Sequence, residues 1–194
     1  KRQNCLMSKK EFINQIEPLI TKKDADAVNK YLLSGGWVTE HKITNKFENL
    51  VKEEVARNYA SAVPNGTIAI YLALLASGIK KGDKVAVPNL TMIATINAVL
   101  WAQAEPVLID VNSSLCMSYE HLLEFDNINC VIYVPLNGRT QDGLKIEKWC
   151  KKNKIILIED SAHALGSIYK ENKKGGNLGD VSIFSFTPHK IITT

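Results

Sequence analysis

The side chains that could do chemistry gather late in this chain. Lys190 lies in V-S-I-F-S-F-T-P-H-K-I-I-T-T (181–194), and Ser185 precedes it on the same short segment. The apolar run from Val181 to Phe186 meets Pro188. A strand followed by a Pro-bearing turn would hold both side chains at one edge of a sheet. A lone lysine is usually a solvated surface charge, so the weight falls on what lies upstream. Asp160 ends K-I-I-L-I-E-D (154–160). A carboxylate at the end of a buried strand needs a cation or hydrogen bonds. It reads either as an N-cap for Ser161-Ala-His163 or as the partner of a protonated ring nitrogen. His163 is either a satisfied core histidine or a hydrogen-bond partner for a ring hydroxyl. Asn65-Gly66-Thr67 opens an apolar helix, where Asn65 can cap and Gly66 lets a ligand approach the backbone. The first N–H groups of such a helix attract phosphate, although a plain capped turn has the same residues.

Pyridoxal phosphate requires four things of a protein: a lysine for its aldehyde, an acid facing its ring nitrogen, a phosphate cradle and a wall against the ring. The chain offers one of each, in Lys190, Asp160, Gly66-Thr67 with Ser185, and Met92. His189 sits beside the lysine and is given no role.

These residues need a scaffold, and the pattern predicts one. Thr21 to Asp24 is a capping-box variant with Ala25, Val28, Tyr31 and Leu32 on one helical face, ended by Gly35-Gly36. A second helix begins near Thr44, with Phe47, Leu50, Val51 and Val55 as its stripe; most of these apolar positions are expected in the core. Strands are expected at Tyr59–Pro64, Asp83–Pro88, Pro106–Val111 (buried), Cys130–Val134 (buried) and Lys154–Glu159. Helices are expected at Ile68–Ser77, Ile93–Ala102, Met117–Phe125 and Leu144–Lys152. Such alternation argues for an α/β fold with a mostly parallel sheet and helices on both faces. Ligands sit beyond the carboxyl ends of such strands. Asn65-Gly66, Met92, Asp160 to His163, and Ser185 to Lys190 all fall there.

Composition excludes little that this reading needs. The chain has 194 residues and a net charge of +4 with scattered lysines, so no nucleic-acid stripe is present. Its four cysteines form no C-x-x-C pair and no metal-ligand spacing, which fits reduced thiols in a cytoplasmic protein. No secretory leader is expected, and the sequence holds no bilayer-length apolar run. The first residue is Lys and the chain closes on Ile-Ile-Thr-Thr, so truncation at both ends is expected.

From about Ile20 onward the sequence resembles the DegT/StrS-type nucleotide-sugar aminotransferases, which depend on pyridoxal phosphate and have the fold-type-I architecture. The resemblance rests on S-G-G-W-V-T (34–39), N-G-T-I-A-I-Y-L-A-L (65–74), G-D-K-V-A-V-P-N-L-T-M-I-A-T-I-N-A-V (82–99), P-V-L-I-D-V (106–111), E-D-S-A-H-A-L-G-S (159–167) and G-D-V-S-I-F-S-F-T-P-H-K-I-I-T-T (179–194), in this order. It implies an N-terminal arm over 1–20 and, over 21–194, the N-terminal part of a large cofactor-binding domain whose C-terminal small domain is missing from this chain. It implies that Lys190 carries the cofactor and shuttles a proton and that Asp160 keeps the ring nitrogen protonated. Gly66, Thr67 and Ser185 would hold the phosphate, His163 would lie near the ring hydroxyl, and Thr39 would border the sugar. Met92 stands where the family usually has an aromatic ring, and Glu40-His41-Lys42 stands where it usually has a nearby glycine. The implied reaction takes an amino group from glutamate to a nucleotide-linked keto-sugar, a 4-keto-6-deoxyhexose, for polysaccharide, glycan or antibiotic sugars. It would proceed in a cytoplasmic homodimer with shared active sites and without metal, nucleic acid or membrane. A sugar dehydratase of the same fold is one alternative, disfavoured because its known version replaces the lysine with histidine. A non-catalytic cofactor-binding fragment is another. A nicotinamide-binding sheet lacks the expected G-x-G-x-x-G.

Overall fold

The computed structural model describes residue 14, residues 17–36 and residues 42–193. Thr39 and the neighbouring Glu40-His41, together with most of the expected arm, lie outside the described residues. Two helices come first, α1 (Lys22–Leu33) and α2 (Lys42–Glu54), followed by α3 (Gly66–Ala76). The sheet then builds as β1 (Lys84–Pro88), α4 (Ile93–Trp101), β2 (Glu105–Ile109), α5 (Tyr119–Leu122), β3 (Cys130–Tyr133), α6 (Gly143–Asn153), β4 (Ile156–Asp160) and β5 (Val181–Ile183).

The five strands form one sheet in the order β2-β1-β3-β4-β5, and every pairing is parallel. Parallel strands are covered on both faces and so read as nearly continuous apolar runs. Alternation then sorts the side chains. Val85, Val87, Cys130, Ile132, Ile158 and Ile183 pack with Ile70 and Leu74 of α3 and with Ala98 and Val99 of α4. Ala86, Val131, Tyr133 and Leu157 pack on the other face with Met117, with Leu122 of α5 and with Ile146 and Cys150 of α6. The same alternation sends Asp160 to the face of Ile158, toward α3 and α4, and Glu159 to the opposite face.

Four expectations require correction. Residues 59–64 form no strand among the described residues, and Tyr59 is 90% exposed. A ladder needs a neighbour's backbone; here the Ala62 N–H donates instead to the Glu48 carboxylate at 2.7 Å. The strand expected to be buried at Pro106–Val111 is β2, at the sheet edge, with Glu105 and Leu108 exposed. Val111 lies beyond it and bridges Met117. The helix expected over Met117–Phe125 contracts to α5, where Ser118 caps by accepting from His121 N at 3.2 Å. Finally, the α1 stripe is not core: no residue of α1 is buried, and Val28 and Leu32 are exposed. In α2 Leu50 is exposed, while Val55, just past its end, is buried.

Elsewhere local chemistry and structure agree. The Asp24 carboxylate accepts from both the backbone N–H and the hydroxyl of Thr21, at 2.7 Å each, and Gly35 takes a positive φ past the end of α1. Cys116, Cys130 and Cys150 are free and buried. Among the described residues, no helix is long and apolar enough to cross a membrane.

Candidate active site at the carboxyl edge of the sheet

Asp160 is the deepest of the candidate residues, at 4% exposure. Its Oδ2 accepts from the Thr95 hydroxyl at 3.0 Å, and its Oδ1 from the Ala162 backbone N–H at 3.2 Å. Burial pushes this carboxyl above the ordinary carboxylate range, against those two hydrogen bonds and the charge of Lys190. Lys190 is half-buried in a turn in which its N–H donates to the Thr187 carbonyl at 2.9 Å. Burial pushes its ammonium below the ordinary lysine value, and Asp160 partly offsets this. His163 is held down as well, by burial first and then by Lys190. Its Nδ1 is buried and finds no hydrogen-bond partner among the described residues. The three groups thus share one partly desolvated field. His189, next to the lysine, is exposed.

The residues expected to hold a phosphate, Gly66, Thr67 and Ser185, come together beside them. Register pairs Asp160 with Ile183, which brings the segment just past β5, with Ser185, next to the end of β4. The start of α3 meets that segment from the other side. A Cβ placed on Gly66 would stand 3.3 Å from the Ser185 Cβ and 3.6 Å from its hydroxyl oxygen. Glycine therefore keeps this approach open. Asn65 caps α3 by accepting from Ile68 N at 2.9 Å, while the N–H groups of Gly66 and Thr67 belong to the first turn and lack intrahelical acceptors. Met92 is the N-cap position of α4, past the end of β1, and is 64% exposed. Its side chain makes no cap hydrogen bond.

Three contributors escaped sequence reasoning. Thr95 was visible only as a hydroxyl among apolar helical neighbours. Glu159 was visible as a second acid in a buried strand. It accepts from Tyr169 OH at 2.7 Å, from Gly176 N at 3.0 Å and from Leu178 N at 2.8 Å, on the face away from Asp160. Arg57 gave no signal, because its partners are carbonyls far along the chain. Its guanidinium donates to Gly176, Leu178 and Gly179 carbonyl oxygens at 2.9, 2.8 and 2.9 Å. Glu159 and Arg57 together hold the β4–β5 connection, so Asp160 and Ser185 keep their register. An apolar groove of about 910 Å³, lined among others by Phe47, Val51, Leu72 and Phe184, runs up to Gly66 and Ser185. Phe47 and Phe186 meet edge to face within it, with centroids 4.8 Å apart.

Residues 18–194 match the sequence profile of the DegT/DnrJ/EryC1/StrS aminotransferase family. The chain belongs to this family. It is 38% identical over 187 residues to the GDP-perosamine synthase of Escherichia coli O157:H7, covering 95% of this chain and 51% of the relative. It is 35% identical over 184 residues to the UDP-4-amino-4,6-dideoxy-N-acetyl-beta-L-altrosamine transaminase of Campylobacter jejuni, covering 90% and 47% of the two. The crystal structure of an aminotransferase from Psychrobacter cryohalolentis superposes with a TM-score of 0.86 at 32% identity, over 91% of this chain and 46% of that one. The chain spans about half the length of the curated relatives it matches. DegT/StrS aminotransferases depend on pyridoxal phosphate, and a Bacillus subtilis relative, 37% identical, is named for that dependence.

Proposed function

We propose that this chain is the cofactor-binding part of a pyridoxal-phosphate-dependent aminotransferase that transfers the amino group of glutamate to a nucleotide-linked keto-sugar. One observation carries the reading: a half-buried lysine, a buried hydrogen-bonded carboxylate and a glycine-opened helix start beside a serine share one sheet edge. The residues fit the cofactor. The unpartnered Nδ1 of His163 is a site for a ring hydroxyl, and a Cβ at Gly66 would crowd the space beside Ser185 where a phosphate would sit.

Bound there, pyridoxal phosphate would supply an aldehyde and a ring that accepts electrons. The chain's own residues would do the rest. Lys190 would provide the amine, and burial favours its neutral, nucleophilic form. Its Nζ would then take and return the proton at the donor's α-carbon and at the acceptor's sugar carbon. Asp160 would hold a proton on the ring nitrogen. The N–H groups of Gly66 and Thr67 and the Ser185 hydroxyl would hold phosphate oxygens. His163 would orient the ring hydroxyl, Met92 would cover one ring face with a polarizable thioether, and Thr39 would border the sugar.

The names of the relatives support a nucleotide sugar as substrate; a 4-keto-6-deoxyhexose is our choice among sugars, for amino-sugar and polysaccharide synthesis. The exposed Val28, Leu32 and Leu33 of α1 support a second copy as partner, in a cytoplasmic homodimer that completes each site. The test is amino transfer from glutamate to GDP- and UDP-linked 4-keto-6-deoxyhexoses. It is run on the chain alone and on the chain joined to the C-terminal half of a relative, with Lys190→Ala in both. Formation of 2-oxoglutarate and amino sugar, abolished by Lys190→Ala, is the expected result. Equal transfer by Lys190→Ala would overturn the role of the lysine. No transfer to any of these sugars by either form would overturn the substrate.

A further inference from the structure

The carboxylate of Asp160 is supported from an unexpected direction. The α4 helix is I-A-T-I-N-A-V-L-W, and neither it nor α3 contains a charged residue. Thr95 is fully buried within it. Its side chain is β-branched, with no special helix propensity, and a buried hydroxyl is unfavourable unless hydrogen-bonded. The hydroxyl lies 3.0 Å from Asp160 Oδ2 and 3.1 Å from the Thr91 hydroxyl. A threonine hydroxyl has one proton, and an ionised carboxylate only accepts. With Asp160 ionised, Thr95 must donate to Asp160, and Thr91 must donate to Thr95. The order Thr91 to Thr95 to Asp160 is therefore set by proton count, and each bond polarises the next.

We propose that Thr95 is a positioning residue, which with Thr91 fixes Oδ2 of Asp160 so that the carboxylate stays ionised in one rotation while Ala162 holds Oδ1. The use to which that carboxylate is put rests on the function proposed above; the positioning does not. Other groups around Asp160 have different work. Lys190 acts on it as a charge from the turn after β5, His163 shares the Lys190 field, and Glu159 is bound on the opposite face. Thr95 is thus the side-chain hydrogen-bond donor to this carboxylate among the described residues.

The experiment follows the Asp160 carboxyl by NMR titration of the cofactor-free chain carrying carboxyl-labelled aspartate, with Asp160→Asn to assign the signal. A hydrogen bond to a charged group is worth enough to move a pKa by about one to two units. Thr95→Val should raise the Asp160 pKa by that amount, and Thr95→Ser should restore it. Thr91→Val should raise it by less, and this variant carries the test if Thr95→Val does not fold. An unchanged pKa in a folded Thr95→Val chain, or in Thr91→Val, would overturn the proposal. So would a Thr95→Ser chain shifted as far as Thr95→Val. A parallel titration with pyridoxal phosphate should show Thr95→Val binding roughly tenfold more weakly. If the wild-type chain binds no pyridoxal phosphate, either alone or joined to the C-terminal half of a relative, the functional reading fails while the titration of Asp160 still decides the role of Thr95.

Discussion

Burial sets the chemistry of the ionisable groups beyond β4 and β5. It pushes Asp160 up and Lys190 and His163 down, so each group is drawn toward its neutral form. Only Asp160 has the hydrogen bonds to resist this, from Thr95 and Ala162. His163 makes the sign testable. Its folded pKa lies below the ordinary imidazole value of about 6.5. As pH falls through that value, the unfolded chain takes up a proton that the folded chain refuses, and stability is lost. Denaturant melts at about pH 7.5 and about pH 5.5 should therefore show His163→Gln gaining stability relative to wild type at the lower pH. An equal difference at both pH values would contradict the account. Legibility at this scale was uneven. Lys190, Asp160, Ser185 and Gly66 stood out by position in the pattern, whereas Arg57 and Thr95 act through partners distant in the chain, which no local spacing reveals.

The elements that carry these residues start at unusual places. The α3 helix begins on glycine, the weakest ordinary helix former, directly after its asparagine cap. Stability alone would favour alanine at Gly66 by up to about 1 kcal/mol. A Cβ there would crowd Ser185 at 3.3 Å, so the glycine is better explained by the approach it leaves open. Gly66→Ala should weaken pyridoxal phosphate binding by roughly tenfold. Unchanged affinity, measured by fluorescence titration, would remove Gly66 from the cradle. The sequence was informative about α3, α4, α6 and strands β1, β3 and β4, because caps and buried apolar runs are local signals. It misjudged residues 59–64 and β2. Whether an apolar segment pairs, and whether it lies inside or at the edge of a sheet, depends on neighbours from elsewhere in the chain.

The molecule as described is a parallel sheet with two packed faces and an apolar surface beyond them. Val28, Leu32 and Leu33 of α1 are exposed, and so are Ile43 and Leu50 of α2. The helical periodicity of Val28, Leu32 and Leu50 was read correctly, yet periodicity cannot say what covers a stripe. Relatives about twice as long are consistent with a site whose remaining walls come from outside these residues. The central claim is that the chain binds an aldehyde cofactor through one particular amine. The most direct measurement is a visible absorption spectrum of the purified chain with pyridoxal phosphate, followed by borohydride reduction and peptide mapping. The account predicts a visible band that disappears on reduction and a label found on Lys190. A label spread over the surface lysines, or no label at Lys190, would contradict it.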